Sequence, residues 1–394
     1  MRNACTNFNV TVAAEIYPPA IGGPATFAAG LVAALRQRGI TVRLVTYADS
    51  VTHADSGMHV IDISNGKTAR AKEYMRALMH PPIPAVVLAL GTVTSGIPTL
   101  VTCRRLGVPM VLRCPGDYAW EVARRDNRTE TMDTYHRRFL SRRLHLIRRM
   151  QDSVCEGATK IMVPCSYLRR HFSQFHDAGK IVVVPNAPSL EAASTPDNTN
   201  LARPPDYVYV GRFIKDKGID TIVRAFCHVV SVVKHARLIL VGDGPERNNL
   251  RELVRCLDLA DRVVIVGPVS RRDVLNYLSK ALANILNSTT ECCTNVATEA
   301  LALGTPLITP QLPGNEEVMS SNTTLFFEHN NSEDLARKML LLSLDQHLFM
   351  KLSANSIARA TRYTFSDMIA ATVAILDQAR ESDSARQVRS ITRR

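Results

Sequence analysis

Residues Glu291–Thr309 read ECCTNVATEALALGTPLIT. Two carboxylates, Glu291 and Glu299, stand eight positions apart, with two cysteines and a Thr-Asn pair between them. Before them comes ANILN (283–287), a short strand-like run. After them Gly304 and Pro306 end a helical pattern, and PLIT (306–309) follows as a further apolar run. The stretch therefore reads strand, loop, helix, strand. Glu291 falls in the loop, Asn295 is placed to cap the helix, and Glu299 lies about one turn inside it. Taken alone, the segment supports two readings. One is a helix start with two solvated glutamates. The other is an anion site, in which the free N–H groups near Val296 and Ala297 attract a diphosphate and the carboxylates accept hydrogen bonds from hydroxyls.

The same alternation extends in both directions. Upstream, YVYVG (207–211), ARLILVG (236–242) and RVVIVG (262–267) are strands, and KGIDTIVRAFCHVV (217–230) and ERNNLRELVRCL (246–257) are helices between them. Further back, VTVAAEIY (10–17) leads through PPAIGG into PATFAAGLVAALRQRG (24–39). There Pro24 suits a first helical turn, Gly39 a C-terminal cap, and Phe27, Leu31 and Leu35 one buried stripe. ITVRLVTY, AVVLAL, VPMVLRC, KIMVP and KIVVVPN complete this half. Short apolar strands separated by amphipathic helices indicate parallel α/β sheets. The polar stretch SLEAASTPDNTNLARPP (189–205) has the composition of a linker. The predicted division is a first Rossmann-like domain over 1–188, a second over 204–360, a helix over 361–380, and a basic tail over 381–394 without regular structure.

A chain of 394 residues with 46% hydrophobic and 21% charged residues has the composition of a soluble globular protein. The longest apolar run is broken by Gly, Pro, Ser and Thr, which argues against a membrane span. Nine cysteines without C-x-x-C pairs suggest reduced thiols and a cytoplasmic setting. Charge is uneven. Residues 1–200 carry 24 Lys+Arg against 15 Asp+Glu, and 101–150 alone carry 12 against 5, a local excess of +7. Such an excess suggests an anionic partner. In YHRRFLSRRLHLIRRMQ (135–151) the apolar residues Phe139, Leu140, Leu144, Leu146, Ile147 and Met150 share one helical face, with most arginines outside it. This segment reads either as a helix resting on an anionic membrane or as a core helix with an arginine-rich solvated face. Nucleic acid is disfavoured, because aromatics are only 6% and no recognition motif interleaves them with the arginines.

Three further motifs lie at strand ends. GRFIKDKG (211–218) places Arg212 and Lys217 where they can neutralise a pyrophosphate. Gly22 and Gly23 permit close backbone approach at a helix start. VGDGPE (241–246) lacks the third glycine of a dinucleotide fingerprint. Together, in this order, PPAIGG, GRFIKDKG, LVGDGPE and the Glu-x7-Glu segment resemble the retaining glycosyltransferases of family 4, over nearly the whole chain.

The resemblance implies a GT-B fold: two Rossmann-like domains facing across a cleft, with the helix from Ser366 crossing back to the first. It implies a nucleotide-sugar donor, a UDP- or GDP-sugar, held mainly by the second domain. Arg212 and Lys217 would hold the diphosphate, Glu291 the sugar and Glu299 the ribose. Val269 in GPVS (267–270) would lie near the base, and Gly22, Gly23, Gly242, Thr294, Asn295 and Val296 would complete the donor contacts. Two departures stand out. Cys292, Cys293 and Thr294 replace the Phe-Gly of many members, and CPGDYAWE (114–121) has no His where many members place one facing the donor sugar. There Asp117 either takes the polar role or is a turn residue after Gly116. No ligand set for a metal surrounds the paired cysteines, so metal-independent catalysis without a cofactor is expected, carried by Glu291, Asp117, Arg212 and Lys217. The expected function is retaining hexosyl transfer to a glycan or lipid-linked acceptor in polysaccharide biosynthesis, in the cytoplasm or peripherally on the inner membrane face. The alternatives are an epimerase or phosphorylase of the same fold, or a non-catalytic sugar-nucleotide binder.

Overall fold

The computed structural model describes residues 8–20, 22–48, 57–125, 132–135, 141–189, 205–288, 294–311, 314, 319–362 and 364–391. The chain forms two compact units. One takes residues up to Pro185 and again from Ser366, and the other takes Asn186–Phe365.

The first unit runs β1 (Asn9–Ala13), α1 (Gly23–Gln37), β2 (Thr41–Ala48), β3 (Met58–Asp62), α2 (Lys67–Met79), β4 (Val86–Ala89), α3 (Gly96–Leu106), β5 (Met110–Arg113), α4 (Tyr118–Arg125), α5 (Met132–Tyr135), α6 (Arg142–Gly157), β6 (Lys160–Val163), α7 (Ser166–Phe172) and β7 (Ile181–Val183). Among the described residues its sheet has seven parallel strands in the order β3-β2-β1-β4-β5-β6-β7. β1, β4 and β5 are buried almost throughout, which is why they read as continuous apolar runs. β3 was not legible in this way, because four of its five residues are only half-buried at the sheet edge.

The second unit runs β8 (Asp206–Val210), α8 (Ile219–Val232), β9 (Arg237–Val241), α9 (Arg247–Cys256), β10 (Val263–Gly267), α10 (Arg271–Lys280), β11 (Ala283–Ile285), α11 (Asn295–Ala302), β12 (Leu307–Pro310), β13 (Thr324–Phe327), α12 (Ser332–Leu344) and α13 (Gln346–Ala360). Its described sheet has six parallel strands, β10-β9-β8-β11-β12-β13. Ile222, Val223, Phe226 and Val229 recur along α8 at helical spacing and fill the core against Tyr207, Leu238 and Leu240.

The last helix, α14 (Phe365–Ile391), belongs to the first unit from Ser366 onward. Arg38 donates to the Ser366 carbonyl at 3.1 Å, and the Arg380 guanidinium lies over the Phe8 ring, 5.4 Å from its centroid. Met368, Ile369, Thr372, Leu376 and Ala379 form its buried stripe. The expectation of an unstructured tail from 381 is corrected here, since the helix continues to Ile391. Extending an existing helix avoids the cost of nucleation, and Glu381, Ala385, Arg386 and Gln387 are good helix formers.

Candidate functional site

In each sheet the strand order reverses once, and ligands of open parallel sheets bind at the carboxyl ends of the strands beside that reversal. In the second unit the reversal lies between β8 and β11. The loop after β8 carries Arg212 and Lys217, and the segment after β11 carries Thr294 to Glu299. Arg212 is exposed and Lys217 half-buried in a tight 3-10 turn, Lys215–Lys217, that Gly218 closes at φ 54°. Gly218 sits against Asn287, whose Nδ2 donates to the Gly218 carbonyl at 3.0 Å and to Asn330 Oδ1 at 3.1 Å. Asn287 thus ties the cationic loop to the end of β11. Nothing in the local sequence marks it, because its burial and its partners, 69 and 43 residues away along the chain, are set by the tertiary structure.

The turn after β9 braces the same loop. Phe213 N donates to the Asp243 carbonyl at 2.8 Å, and Glu246 N to the Phe213 carbonyl at 3.0 Å. A Cβ on Gly242 (φ 140°) would collide with the Gly211 carbonyl oxygen, so the glycine is required by backbone packing. Val269, after β10, lines a groove of about 500 Å³ that runs to Asp206 and Arg237 at the amino ends of β8 and β9, away from the carboxyl ends that carry Arg212.

The start of α11 differs by one residue from expectation. The cap is Thr294, whose Oγ1 accepts from Ala297 N at 3.1 Å, so Asn295 is the first helical residue and Asn295 and Val296 are half-buried. Thr294 is the better cap in place because its extended backbone (φ −63°, ψ 144°) aims the hydroxyl at the first turn. Glu299 is only 3% exposed, and its Oε1 receives Arg271 Nη1 at 2.7 Å. Burial pushes the Glu299 carboxyl above the ordinary range, and Arg271 pulls it part of the way back. Arg271 is a second residue that the sequence reading did not single out. Glu291, Cys292 and Cys293 lie outside the described residues.

In the first unit the reversal lies between β1 and β4. Gly22 is the N-cap of α1 and Gly23 its first residue, with no side-chain cap over them. Glu15, just beyond β1, accepts from Ser95 N at 3.4 Å, and burial raises its pKa against the opposing pull of the Ser95 and Thr94 hydrogen bonds.

Asp117 lies between β5 and α4, directly before the first residue of α4. It is 0% exposed and turned inward. Its Oδ1 accepts from Trp120 N at 3.0 Å and from Gln151 Nε2 at 3.2 Å, and its Oδ2 faces His171 Nε2 at 3.0 Å. Gln151 also accepts from Ala119 N at 3.2 Å. Asp117 therefore caps α4 and braces it against α6 and α7, which is the turn-residue alternative.

The basic segment is also redrawn. Its helix starts at Arg142, behind a Ser141 cap. Leu144 is buried, Ile147 and Met150 are half-buried, and Leu146 is 60% exposed among the exposed Arg142, Arg143 and Arg149. Phe139 and Leu140 lie outside the described residues. Arg148 turns inward, 3.7 Å from Asp152 and 4.9 Å from the Phe175 ring centroid. Among the described residues no helix is long and apolar enough to cross a membrane, and no group of three or more His, Cys, Asp or Glu is placed to hold a metal ion.

Residues 21–191 match the family described as glycosyltransferase family 4, and residues 194–362 match glycosyl transferases group 1. A lipopolysaccharide core biosynthesis glycosyltransferase, LpsD, of Rhizobium meliloti (strain 1021) is 33% identical over 201 residues, 50% of this chain and 56% of that protein. The chain spans about half or less of the length of its first curated relatives. Sucrose-phosphate synthase of Thermosynechococcus elongatus superposes with a TM-score of 0.78 over 94% of this chain and 99% of that one, at 18% identity. Anabaena HepE, solved with UDP and glucose, gives 0.73 over 93% and 98%, at 15% identity. At these identities the two structures are alike in fold.

Proposed function

The chain belongs to glycosyltransferase family 4, glycosyl transferases group 1, with the GT-B fold, and on that premise we propose that it transfers a hexose from a UDP- or GDP-sugar to a hydroxyl of a glycan or lipid-linked acceptor, with retention. The observation that carries the reading is the switch point of the second unit. There one strand end presents Arg212 and Lys217, the next is followed by a capped helix start that carries Glu299, and Asn287 ties the cationic loop to the end of β11. Cations beside a helix N-terminus at such a place suit a diphosphate, and carboxylates suit ribose and sugar hydroxyls.

In this reading Arg212 and Lys217 neutralise the charge that grows on the departing diphosphate. The bond from the anomeric carbon to the phosphate oxygen breaks as the acceptor oxygen bonds on the same face. The acceptor proton passes to the leaving phosphate. Glu291 holds the donor sugar and Glu299 the ribose, with Gly242, Val269, Asn295 and Val296 lining the donor. No metal or cofactor enters these steps.

For the acceptor, α6 favours a lipid surface: an exposed leucine ringed by three exposed arginines suits the interface of an anionic membrane on its cytoplasmic side. The test of the core reading is a thermal-shift screen of UDP, GDP, UDP-glucose, UDP-N-acetylglucosamine and GDP-mannose. A ligand at 100 times its Kd stabilises by about 2.7 kcal/mol. No shift with any uridine or guanosine diphosphate compound would defeat the proposal.

A further inference from the structure

Arg271 was singled out neither by a motif nor by any strand-end cation pattern, yet it makes the closest charged contact to Glu299. Its place is fixed from two sides. It is the first residue of α10, directly after Ser270, which caps that helix by accepting from Asp273 N at 3.2 Å and donating to Asp273 Oδ2 at 2.6 Å. Its guanidinium is shared: Nη1 donates to Glu299 Oε1 at 2.7 Å, and Nη2 donates to the Ser189 carbonyl at 3.2 Å. A planar guanidinium anchored at two points holds one orientation. Its side chain is 31% exposed while that of Glu299 is 3% exposed, so solvent reaches the pair from the arginine side.

This geometry has an electrostatic consequence. A carboxyl buried to that degree favours its neutral form, and an opposite charge in contact restores the ionised one. Among the described residues the charged group acting on Glu299 is Arg271. Asp273, on the same helix, is engaged with Ser270, and residues 186–189 carry no titratable side chain. An ionised carboxylate is a pure acceptor with about four lone-pair sites, of which Arg271 takes one. A protonated carboxyl offers fewer acceptor sites and a competing donor.

We propose that Arg271 is the positioning residue of the nucleotide site: it holds the Glu299 carboxylate charged and aimed, so that a pair of ribose hydroxyls meets an acceptor at neutral pH. The inference rests on the assignment of Glu299 to the ribose. It predicts a role for an arginine that need not touch the ligand, and its signature is a pH dependence.

The experiment is calorimetric titration of UDP and GDP into the full chain at pH 8.0, 7.0, 6.0 and 5.5, for wild type, Arg271→Gln, Arg271→Lys, Glu299→Gln and the Arg271→Gln/Glu299→Gln double variant. The ligand's own phosphate titrates near pH 6 and contributes equally to every profile. Wild type and Arg271→Lys are expected to run parallel, because lysine keeps the charge. Arg271→Gln is expected to lose further affinity as pH falls, by up to about tenfold per pH unit once Glu299 protonates. Glu299→Gln and the double variant should be weak at every pH, with no such extra loss. An Arg271→Gln profile parallel to wild type overturns the inference. So does an Arg271→Lys profile that falls away from wild type with acid, which covers the case in which Arg271→Gln does not fold. If Glu299→Gln binds UDP and GDP like wild type, the ribose assignment fails instead, and the two failures are distinct.

Discussion

Asp117→Ala separates a structural aspartate from a catalytic one. In the wild type, among the described residues, the carboxylate accepts from Trp120 N, Gln151 Nε2 and His171 Nε2 at 3.0, 3.2 and 3.0 Å. Loss of the helix cap costs about 1 kcal/mol. Gln151 and His171 are 1% and 2% exposed, and each loses a partner that water cannot readily replace, at about 1–3 kcal/mol apiece. The total, about 3–7 kcal/mol, is a large share of the 5–15 kcal/mol that holds an ordinary domain together. For a unit of this size it corresponds to a fall in Tm of about 6–28 °C. Asp117→Asn should fall less, since its Oδ1 still caps α4 and a neutral histidine can turn an acceptor nitrogen toward the amide. Differential scanning fluorimetry gives the Tm, and calorimetry at 20 °C gives UDP and GDP affinity, which should be unchanged because Asp117 lies in the other unit from Glu299. A wild-type Tm combined with abolished sugar transfer would refute this reasoning and return Asp117 to the chemistry.

Arg212→Ala or Lys217→Ala should each weaken nucleoside diphosphate binding by about 1.5–3 kcal/mol, or about 10- to 150-fold, measured calorimetrically; unchanged affinity in both would remove the loop from the site. Glu299→Gln should weaken UDP or GDP itself, whereas Glu291→Gln should weaken mainly the sugar nucleotide and turnover; equal losses of free nucleotide would contradict that division. Replacing Arg142 and Arg149 by Gln removes two charges worth about 1 kcal/mol each at an anionic surface, so partitioning onto vesicles of phosphatidylserine and phosphatidylcholine should fall about thirtyfold at low salt, with nucleotide affinity intact. Wild-type protein that ignores such vesicles at low salt ends the membrane reading. Glu15 has a raised pKa, so its stabilising contribution is present below the unfolded-state value and is lost as pH rises through the folded one. Glu15→Gln should therefore gain Tm relative to wild type at pH 8 and little or nothing at pH 4; the opposite order would show that the carboxylate is stabilised rather than strained.

What the sequence determined by itself is periodic and local. The apolar runs of β1, β4, β8 and β9 were legible because central parallel strands are buried on both faces, so nearly every residue must be apolar. The helix stops at Gly39 and Gly304, and the strand-end position of the candidate segments around Arg212, Lys217 and Glu299, were legible because turn chemistry and strand ends depend on a few neighbouring residues. Edge strands such as β3, with half-buried residues, leave a weaker imprint. Tertiary structure alone decided the partners. Nothing local in CPGDYAWE says that Asp117 will meet Gln151 and His171, 34 and 54 residues away, rather than a ligand. Nothing local in GPVSRR says that Arg271 will meet Glu299, 28 residues on. A carboxylate's chemistry is set by what desolvates it and what charge faces it, and both are properties of chain segments brought together from a distance.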